Sequence, residues 1–144
     1  MAPVSAENRL NELTAQQWLR FTKTWFVHNP KPRKKNEMLH PAKYPDEMIA
    51  EFISFFTKPG HVVFDPFLGT GSTLVAAYTA GRNGIGIELQ EKYAKIARDR
   101  IKALEGQLKL DEQGAKDTCK QLVLQGDNGD IKRLWDEYTL PLLD

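Results

Sequence analysis

The sequence predicts an α/β fold with an open parallel sheet. Short apolar runs alternate along the chain with longer amphipathic stretches, the pattern of strands joined by crossover helices. A turn with two glycines, Gly69-Thr70-Gly71, comes soon after the apolar run at 61–64. Acidic residues end two consecutive apolar runs, at Asp65 and Glu88. Together these observations predict right-handed strand–helix–strand units with a ligand site at the carboxyl ends of the strands.

Two helices are predicted before the sheet begins. A short helix is expected at 14–21, with Thr14 as its N-cap. A second, amphipathic helix is predicted at 45–56, with Pro45 in its first turn and Lys58-Pro59-Gly60 after its end. Its apolar residues recur at helical spacing and are expected to serve core packing only: Met48, Ile49, Phe52, Ile53 and Phe56.

The sheet and its covering helices are predicted from residue 61 onward. Strands are expected at 61–64, 85–88 and 121–125, and helices at 72–80, 91–104 and 131–138. The helix at 91–104 is expected to turn Tyr93, Ile96, Ala97, Ile101 and Leu104 inward. The polar stretch at 105–118, which contains two glycines, is predicted to be a mobile loop.

The glycine turn allows three ligand classes to be compared. A phosphate-binding P-loop requires Lys after the last glycine, where this chain has Ser72. A dinucleotide site requires a third small residue, where this chain has Leu74, and Asp65 would repel a pyrophosphate. S-adenosylmethionine fits best, because its ammonium group and ribose hydroxyls suit Asp65 and Glu88. Either acid alone could simply cap a helix, but two acids that flank one Gly-x-Gly turn indicate a ligand site.

Four segments, in a fixed order, carry a family resemblance. They are His-Pro-Ala-Lys-Tyr-Pro at 40–45, Asp-Pro-Phe-Leu-Gly-Thr-Gly-Ser-Thr at 65–73, Gly-Arg-Asn-Gly-Ile-Gly-Ile-Glu-Leu at 81–89 and Gln-Gly-Asp-Asn at 125–128. The set resembles the DNA amino-methyltransferases, which methylate adenine N6 or cytosine N4 on a Rossmann-like sheet. The resemblance implies S-adenosyl-L-methionine as the cofactor and DNA as the substrate. It also implies a cytoplasmic, prokaryotic or phage enzyme, site-specific and of restriction-modification type.

The resemblance assigns cofactor contacts residue by residue. It implies that Glu88 binds the ribose, Leu89 packs on the adenine and Asp127 meets the adenine amino group. The segment near the methionine end of the cofactor is implied to be His40, Pro41 and Ala42. The other implied contacts lie around the turn and after the third strand: Asp65, Pro66, Phe67, Gly69, Gly71, Ser72, Thr73 and Asn128. No metal site is expected, since three scattered histidines and one cysteine have no zinc-ligand spacing.

The catalytic motif of this family does not occur in the sequence. That motif is Asp, Asn or Ser followed by Pro-Pro and an aromatic residue, and the chain has no Pro-Pro pair. We therefore expect a cofactor-binding part that is incomplete before a fourth strand, and that is inactive alone. Expected partners are a second polypeptide with the motif, or another copy joined at an exposed sheet edge. The alternatives are a non-catalytic regulatory module and an RNA or small-molecule methyltransferase fragment; the Asp-Pro-Phe form and residues 40–42 favour DNA.

Composition and charge agree with a soluble domain that approaches nucleic acid. The chain is 41% hydrophobic and 27% charged, without a long apolar run or an export signal. Nearly all charged residues between Arg20 and Lys43 are basic. The run Lys31-Pro32-Arg33-Lys34-Lys35 is expected either to contact the DNA backbone or to form a solvated loop. Two parts are predicted: an N-terminal helix with a basic loop at 1–39, and an S-adenosylmethionine-binding α/β domain at 40–144.

Overall fold

A computed structural model of the chain describes residues 10–22, 44–110 and 119–138. Strands and helices alternate from the first strand onward, which confirms the predicted α/β class. No helix within these segments is both long and apolar enough to cross a membrane. In chain order the elements are α1 (Ala15–Phe21), α2 (Asp46–Phe56), β1 (Val62–Asp65), α3 (Ser72–Thr79), β2 (Asn83–Glu88), α4 (Glu91–Leu110), β3 (Gln121–Gln125), a 3₁₀ helix (Asn128–Asp130) and α5 (Ile131–Glu137).

The three strands form one parallel sheet in the order β1-β2-β3. Asp65 at the end of β1 pairs with Gly86, two residues before the end of β2. Glu88 at the end of β2 pairs with Gln125 at the end of β3. The carboxyl ends of all three strands therefore lie along one edge, where ligands bind in open parallel sheets.

Helices cover both faces of the central strand, because successive side chains of a strand point to opposite faces. Ile85 and Ile87 pack in one buried cluster with Leu134 of α5. Gly84 and Gly86 lie on the other face, against the side chains of Leu74 and Leu68. That second cluster continues into α4 through Ala97 and Ile101, and α2 packs on α3.

The largest difference from the predicted boundaries is in α4, which continues to Leu110 instead of ending at residue 104. The six residues from Glu105 to Leu110 are helical, although they were expected to begin a loop. Gly106 costs a helix about 1 kcal/mol, but the Glu, Gln, Leu and Lys around it are all good helix formers. The rest of the predicted loop, at 111–118, lies outside the described residues.

The strands also differ slightly from their predicted bounds, while β3 matches its prediction. β1 begins and ends one residue later than predicted, so Asp65 is its last residue. β2 begins two residues earlier, at Asn83, and ends at Glu88 as predicted. The expected purely core role of α2 is wrong for Phe56, whose side chain is 58% exposed at the end of the helix.

Helix α1 packs against α2 through aromatic rings. The ring centroid of Phe55 lies 4.7 Å from that of Trp18 and 4.8 Å from that of Phe21. Thr14 is the N-cap of α1 as predicted, and it forms a capping box with Gln17. The predicted boundary between residues 39 and 40, the basic run at 31–35 and residues His40, Pro41 and Ala42 lie outside the described residues.

Arg82 connects the end of α2 with the start of β2. Its guanidinium donates to the Thr57 carbonyl oxygen at 2.8 Å, to Thr57 Oγ1 at 3.0 Å and to the Ala80 carbonyl oxygen. Burial lowers the pKa of Arg82 from its usual range, and the nearby Glu12 and Cys119 oppose that shift. These bonds help to hold α2 beside the sheet, where its other end borders the candidate site.

Candidate cofactor site

The turn after β1 takes its shape from two glycines in left-handed conformation. Gly69 has φ +57° and Gly71 has φ +86°, as the Gly-x-Gly spacing predicts. A Cβ at Gly71 would lie 2.8 Å from the Cβ of Ala97, so this glycine lets α3 approach α4 closely. A Cβ at Gly69 would meet no atom within 4 Å, which leaves that side of the turn accessible to a ligand.

The carboxylate of Asp65 is bonded into the turn that follows it. Its Oδ1 accepts a hydrogen bond from the Phe67 N–H at 2.9 Å. Its Oδ2 accepts a hydrogen bond from Thr73 Oγ1 at 2.6 Å. Asp65 thus connects the end of β1 with the first turn of α3.

The carboxylate of Glu88 holds the same turn from the neighbouring strand. Its Oε2 accepts from the Gly69 N–H at 2.8 Å and its Oε1 from the Gln90 N–H at 2.9 Å. An ionised carboxylate has about four lone-pair sites, so Glu88 and Asp65 each retain two for a ligand. In the described contacts neither carboxylate accepts a hydrogen bond from a backbone N–H of α3 or α4, since the N–H groups of Phe67, Gly69 and Gln90 all lie before those helices begin.

A cavity of about 430 Å³ lies between the turn and the N-terminal part of α2. Its volume is within the usual range for sites that bind small molecules. It brings together five of the predicted cofactor residues: Asp65, Phe67, Gly69, Ser72 and Thr73. Its other lining residues are Tyr44, Met48, Ile49, Leu68 and Thr70. Met48 and Ile49 therefore line the candidate site, and the expectation that they serve core packing only is wrong.

The other predicted residues that the structure describes, Glu88 among them, lie along the same sheet edge, outside the cavity lining. Leu89 follows Glu88 and is 60% exposed. Asp127 accepts a hydrogen bond from the Gly129 N–H at 2.8 Å and caps the 3₁₀ helix that Asn128 begins. The loop after β3 is fixed beside Glu88, because the Gly126 N–H donates to the Glu88 carbonyl oxygen at 3.0 Å. Pro66 and Gly71 also do not line the cavity.

Arg100 is the main residue near the site that sequence analysis missed. Its guanidinium donates to the Thr70 carbonyl oxygen at 2.7 Å and to Asp46 Oδ2 at 2.8 Å. A signal was present, because Arg100 follows Ala97 by three residues and so falls on the inward stripe of α4. A charged residue in such a stripe indicates a buried polar contact, since it is otherwise costly there.

Replacing Thr73 by valine tests whether its hydroxyl fixes Asp65. We expect Thr73→Val to lower the free energy of unfolding by about 1–2 kcal/mol, because a carboxylate loses a hydrogen bond. Thr73→Ser, which retains the hydroxyl, should lose much less. Thr79→Val is the matched control, since Thr79 lies on the same helix and bonds only its own helix backbone in the described contacts. Equal losses for the Thr73 and Thr79 valine variants in urea unfolding would contradict the assignment.

Comparison with known proteins gives the same family for about two thirds of the chain, including the glycine turn, Asp65 and Glu88. A family profile described as DNA methylase, of N6 and N4 type, matches residues 3–99. YubD of Escherichia coli strain K12, a candidate methylase, is 42% identical over 76 residues, which are 53% of this chain and 32% of YubD. The type II methyltransferase M.BglI of Bacillus subtilis is 33% identical over 91 residues, which are 63% of this chain and 26% of M.BglI.

A solved structure shares the fold. TTHA0409 of Thermus thermophilus, a candidate DNA modification methylase crystallised with S-adenosyl-L-methionine, superposes with a TM-score of 0.54 at 31% identity. The match covers 79% of this chain and 39% of TTHA0409. The matches to YubD and M.BglI span about a third or less of the length of those relatives. Since the family profile covers more than half of the chain, the chain belongs to the N6 and N4 DNA methylase family.

Proposed function

We propose that this chain is the S-adenosylmethionine-binding part of a DNA methyltransferase. The enzyme methylates the exocyclic amino group of adenine at N6 or of cytosine at N4, in a site-specific, restriction-modification system. The observation that carries the proposal is the pair of carboxylates at the ends of adjacent parallel strands, Asp65 and Glu88, both bonded to one glycine turn. Two similarities support it: M.BglI is a type II methyltransferase, and TTHA0409 was solved with S-adenosyl-L-methionine.

The chemistry of the cavity suits this cofactor better than a nucleotide phosphate. Asp65 is the charged residue of its lining, and no Lys or Arg of the described chain is among the lining residues. An anionic wall disfavours a phosphate group and favours an ammonium or a sulfonium. The exposed apolar side chains of Phe67 and Leu89 stand at the same edge and provide surfaces for an aromatic base.

We assign the following roles to the residues of the site. The two remaining lone-pair sites of Glu88 accept the two ribose hydroxyls, while its other two hold the turn. Asp65 holds the ammonium end, and the open side of Gly69 admits the ligand close to the backbone. When bound, S-adenosylmethionine supplies the methyl group that passes directly to the target amino nitrogen. The part of this chain is to hold and orient the donor, which is a large share of what such a transfer requires.

DNA is the proposed substrate of the whole enzyme, and other partners follow from what the chain contains. Lys31, Arg33, Lys34 and Lys35 are proposed to contact the DNA backbone. A second polypeptide with the Pro-Pro-aromatic motif is proposed to supply the catalytic residues. Self-association is a further proposal, because β1 has a strand neighbour on one side only within the described sheet. A cytoplasmic location is proposed because the substrate is DNA.

Calorimetric titration tests the choice of cofactor. We expect the 144-residue chain to bind S-adenosylmethionine more tightly than NAD, because the described lining offers the carboxylate of Asp65 and no cation of the described residues to a pyrophosphate. Tighter binding of NAD would return the site to the dinucleotide class and would end the methyltransferase proposal.

Methyl transfer is tested with tritiated S-adenosylmethionine and unmodified duplex DNA. We expect no transfer by this chain alone, because it has no Pro-Pro-aromatic sequence to orient the target amino group. Transfer should appear when a polypeptide that carries the motif is added. Robust transfer by this chain alone would mean that other residues perform catalysis. Cofactor binding that never leads to transfer with any such partner would favour the regulatory module instead.

A further inference from the structure

Arg100 of α4 contacts three residues, which lie in two separate parts of the chain around the cavity. Its Nη1 lies 2.7 Å from the Thr70 carbonyl oxygen and 3.4 Å from Ser72 Oγ, and its Nη2 lies 2.8 Å from Asp46 Oδ2. The ion pair is largely withdrawn from solvent, with 22% of the Arg100 side chain and 31% of the Asp46 side chain exposed. Charge-assisted bonds of this kind are stronger than neutral ones and less screened than surface pairs.

These contacts join the two walls of the cavity. Thr70 and Ser72 line it on the side of the glycine turn. Tyr44, Met48 and Ile49 line it on the side of α2, and Asp46 lies between them at the start of that helix. Arg100 does not line the cavity itself, so it acts on the space through the residues that it holds.

We propose that Arg100 is a positioning residue for the methyl donor, which fixes α2 against the glycine turn and so sets the width of the cavity. This inference rests on the proposed function, because it links the distance between the two cavity walls to the binding of S-adenosylmethionine. The planar guanidinium serves the Thr70 carbonyl and the Asp46 carboxylate at once, which the single ammonium of a lysine does poorly.

The test measures the dissociation constant of S-adenosylhomocysteine by calorimetry, with the 144-residue chain and its variants at a temperature where circular dichroism shows each to be folded. Arg100→Gln should weaken binding by about five- to tenfold, the scale of coupling within one polar network. Arg100→Lys should weaken it less. Asp46→Asn breaks the ion pair but leaves the bond to Thr70, and it should weaken binding too.

Arg98→Gln is the matched control. Arg98 lies on the same helix and pairs with Glu91 at 2.9 Å, but its side chain is 42% exposed and touches no cavity wall in the described contacts. Binding should be unchanged in this variant. In the double variant Arg100→Gln with Asp46→Asn, the loss of affinity should be smaller than the product of the two single losses, because both remove the same connection.

The possible outcomes distinguish failure of the proposed function from failure of the inference about Arg100. If the wild-type chain binds neither S-adenosylhomocysteine nor S-adenosylmethionine, the proposed function fails first. If the wild type binds and Arg100→Gln binds equally well while its stability falls, Arg100 is only structural and the inference is overturned. If Arg100→Gln does not fold, the other two variants decide. Unchanged affinity in both Arg100→Lys and Asp46→Asn then also overturns the inference.

Discussion

Replacing Gly71 by alanine will lower the free energy of unfolding by about 2–4 kcal/mol, through two effects that act together. The first is backbone strain, because Gly71 has φ +86°, where an L-residue loses about 1–2 kcal/mol. The second is overpacking, because the new Cβ would lie 2.8 Å from the Cβ and 3.1 Å from the Cα of Ala97. Both atoms belong to Ala97 of α4, which packs against α3, so neither can move away as the end of a flexible side chain would. Urea unfolding followed by circular dichroism measures the loss.

Gly81 separates the two effects. It also has positive φ, at +78°, but a Cβ there would meet no atom within 4 Å. Gly81→Ala should therefore show the backbone strain alone, about 1–2 kcal/mol. Ala97→Gly alone should cost about 1 kcal/mol as a glycine inside α4, and it should cost less in the Gly71→Ala background, where it removes the opposing Cβ. A loss at Gly71 no greater than that at Gly81, with the same cost of Ala97→Gly in both backgrounds, would mean that the turn shifts away from α4 at little cost.

The sequence predicted the sheet well because its signals are local. The apolar runs of β1, β2 and β3 lie between turn residues, and each prediction came within two residues of the observed bounds. The Gly-x-Gly turn was predicted because positive φ and close helix approach both require glycine, and Gly71 meets both conditions. Asp65 and Glu88 were identified from their positions at strand ends, and the parallel register brings them to one edge.

Most of the features that the sequence did not predict depend on contacts between residues that are distant in sequence. Periodicity identified Met48 and Ile49 as an apolar stripe, but it cannot tell a core from the wall of a cavity. Arg100 bonds Thr70 and Asp46, which are 30 and 54 residues away in sequence, so no local pattern names its partners. The extra turn and a half of α4 was missed because the polar stretch at 105–118, with its two glycines, was interpreted as a loop, although the residues around Gly106 outweigh its cost.

The bonds of the two acids predict different responses to neutral substitution. Glu88 accepts from two backbone N–H groups, of Gly69 and Gln90, and neither donor can become an acceptor. Glu88→Gln therefore sets an amide NH₂ against one of these N–H groups and loosens the turn. Asp65 accepts from the Phe67 N–H and from the Thr73 hydroxyl. Because a hydroxyl can reverse and accept, Asp65→Asn can keep both bonds of the turn.

Removing both carboxylates is expected to weaken cofactor binding more than any single substitution in the site. Asp65→Ala and Glu88→Ala should each cost about 1–3 kcal/mol of binding free energy, the scale of hydrogen bonds that involve a charged group. If the two acids hold opposite ends of the cofactor, as proposed, the losses will be nearly additive, about 2–6 kcal/mol in the double variant. Asp65→Asn is the most informative single change, because it removes the charge and keeps the turn.

Calorimetry and urea unfolding on the same variants distinguish ligand contact from loop support. Asp65→Asn should leave the free energy of unfolding within about 0.5 kcal/mol of wild type, as for a substitution that keeps its contacts, and still weaken S-adenosylmethionine binding. Glu88→Gln should lower both quantities. Full affinity in Asp65→Asn would mean that this acid only shapes the turn, because the charge that was expected to attract the ammonium would have made no difference.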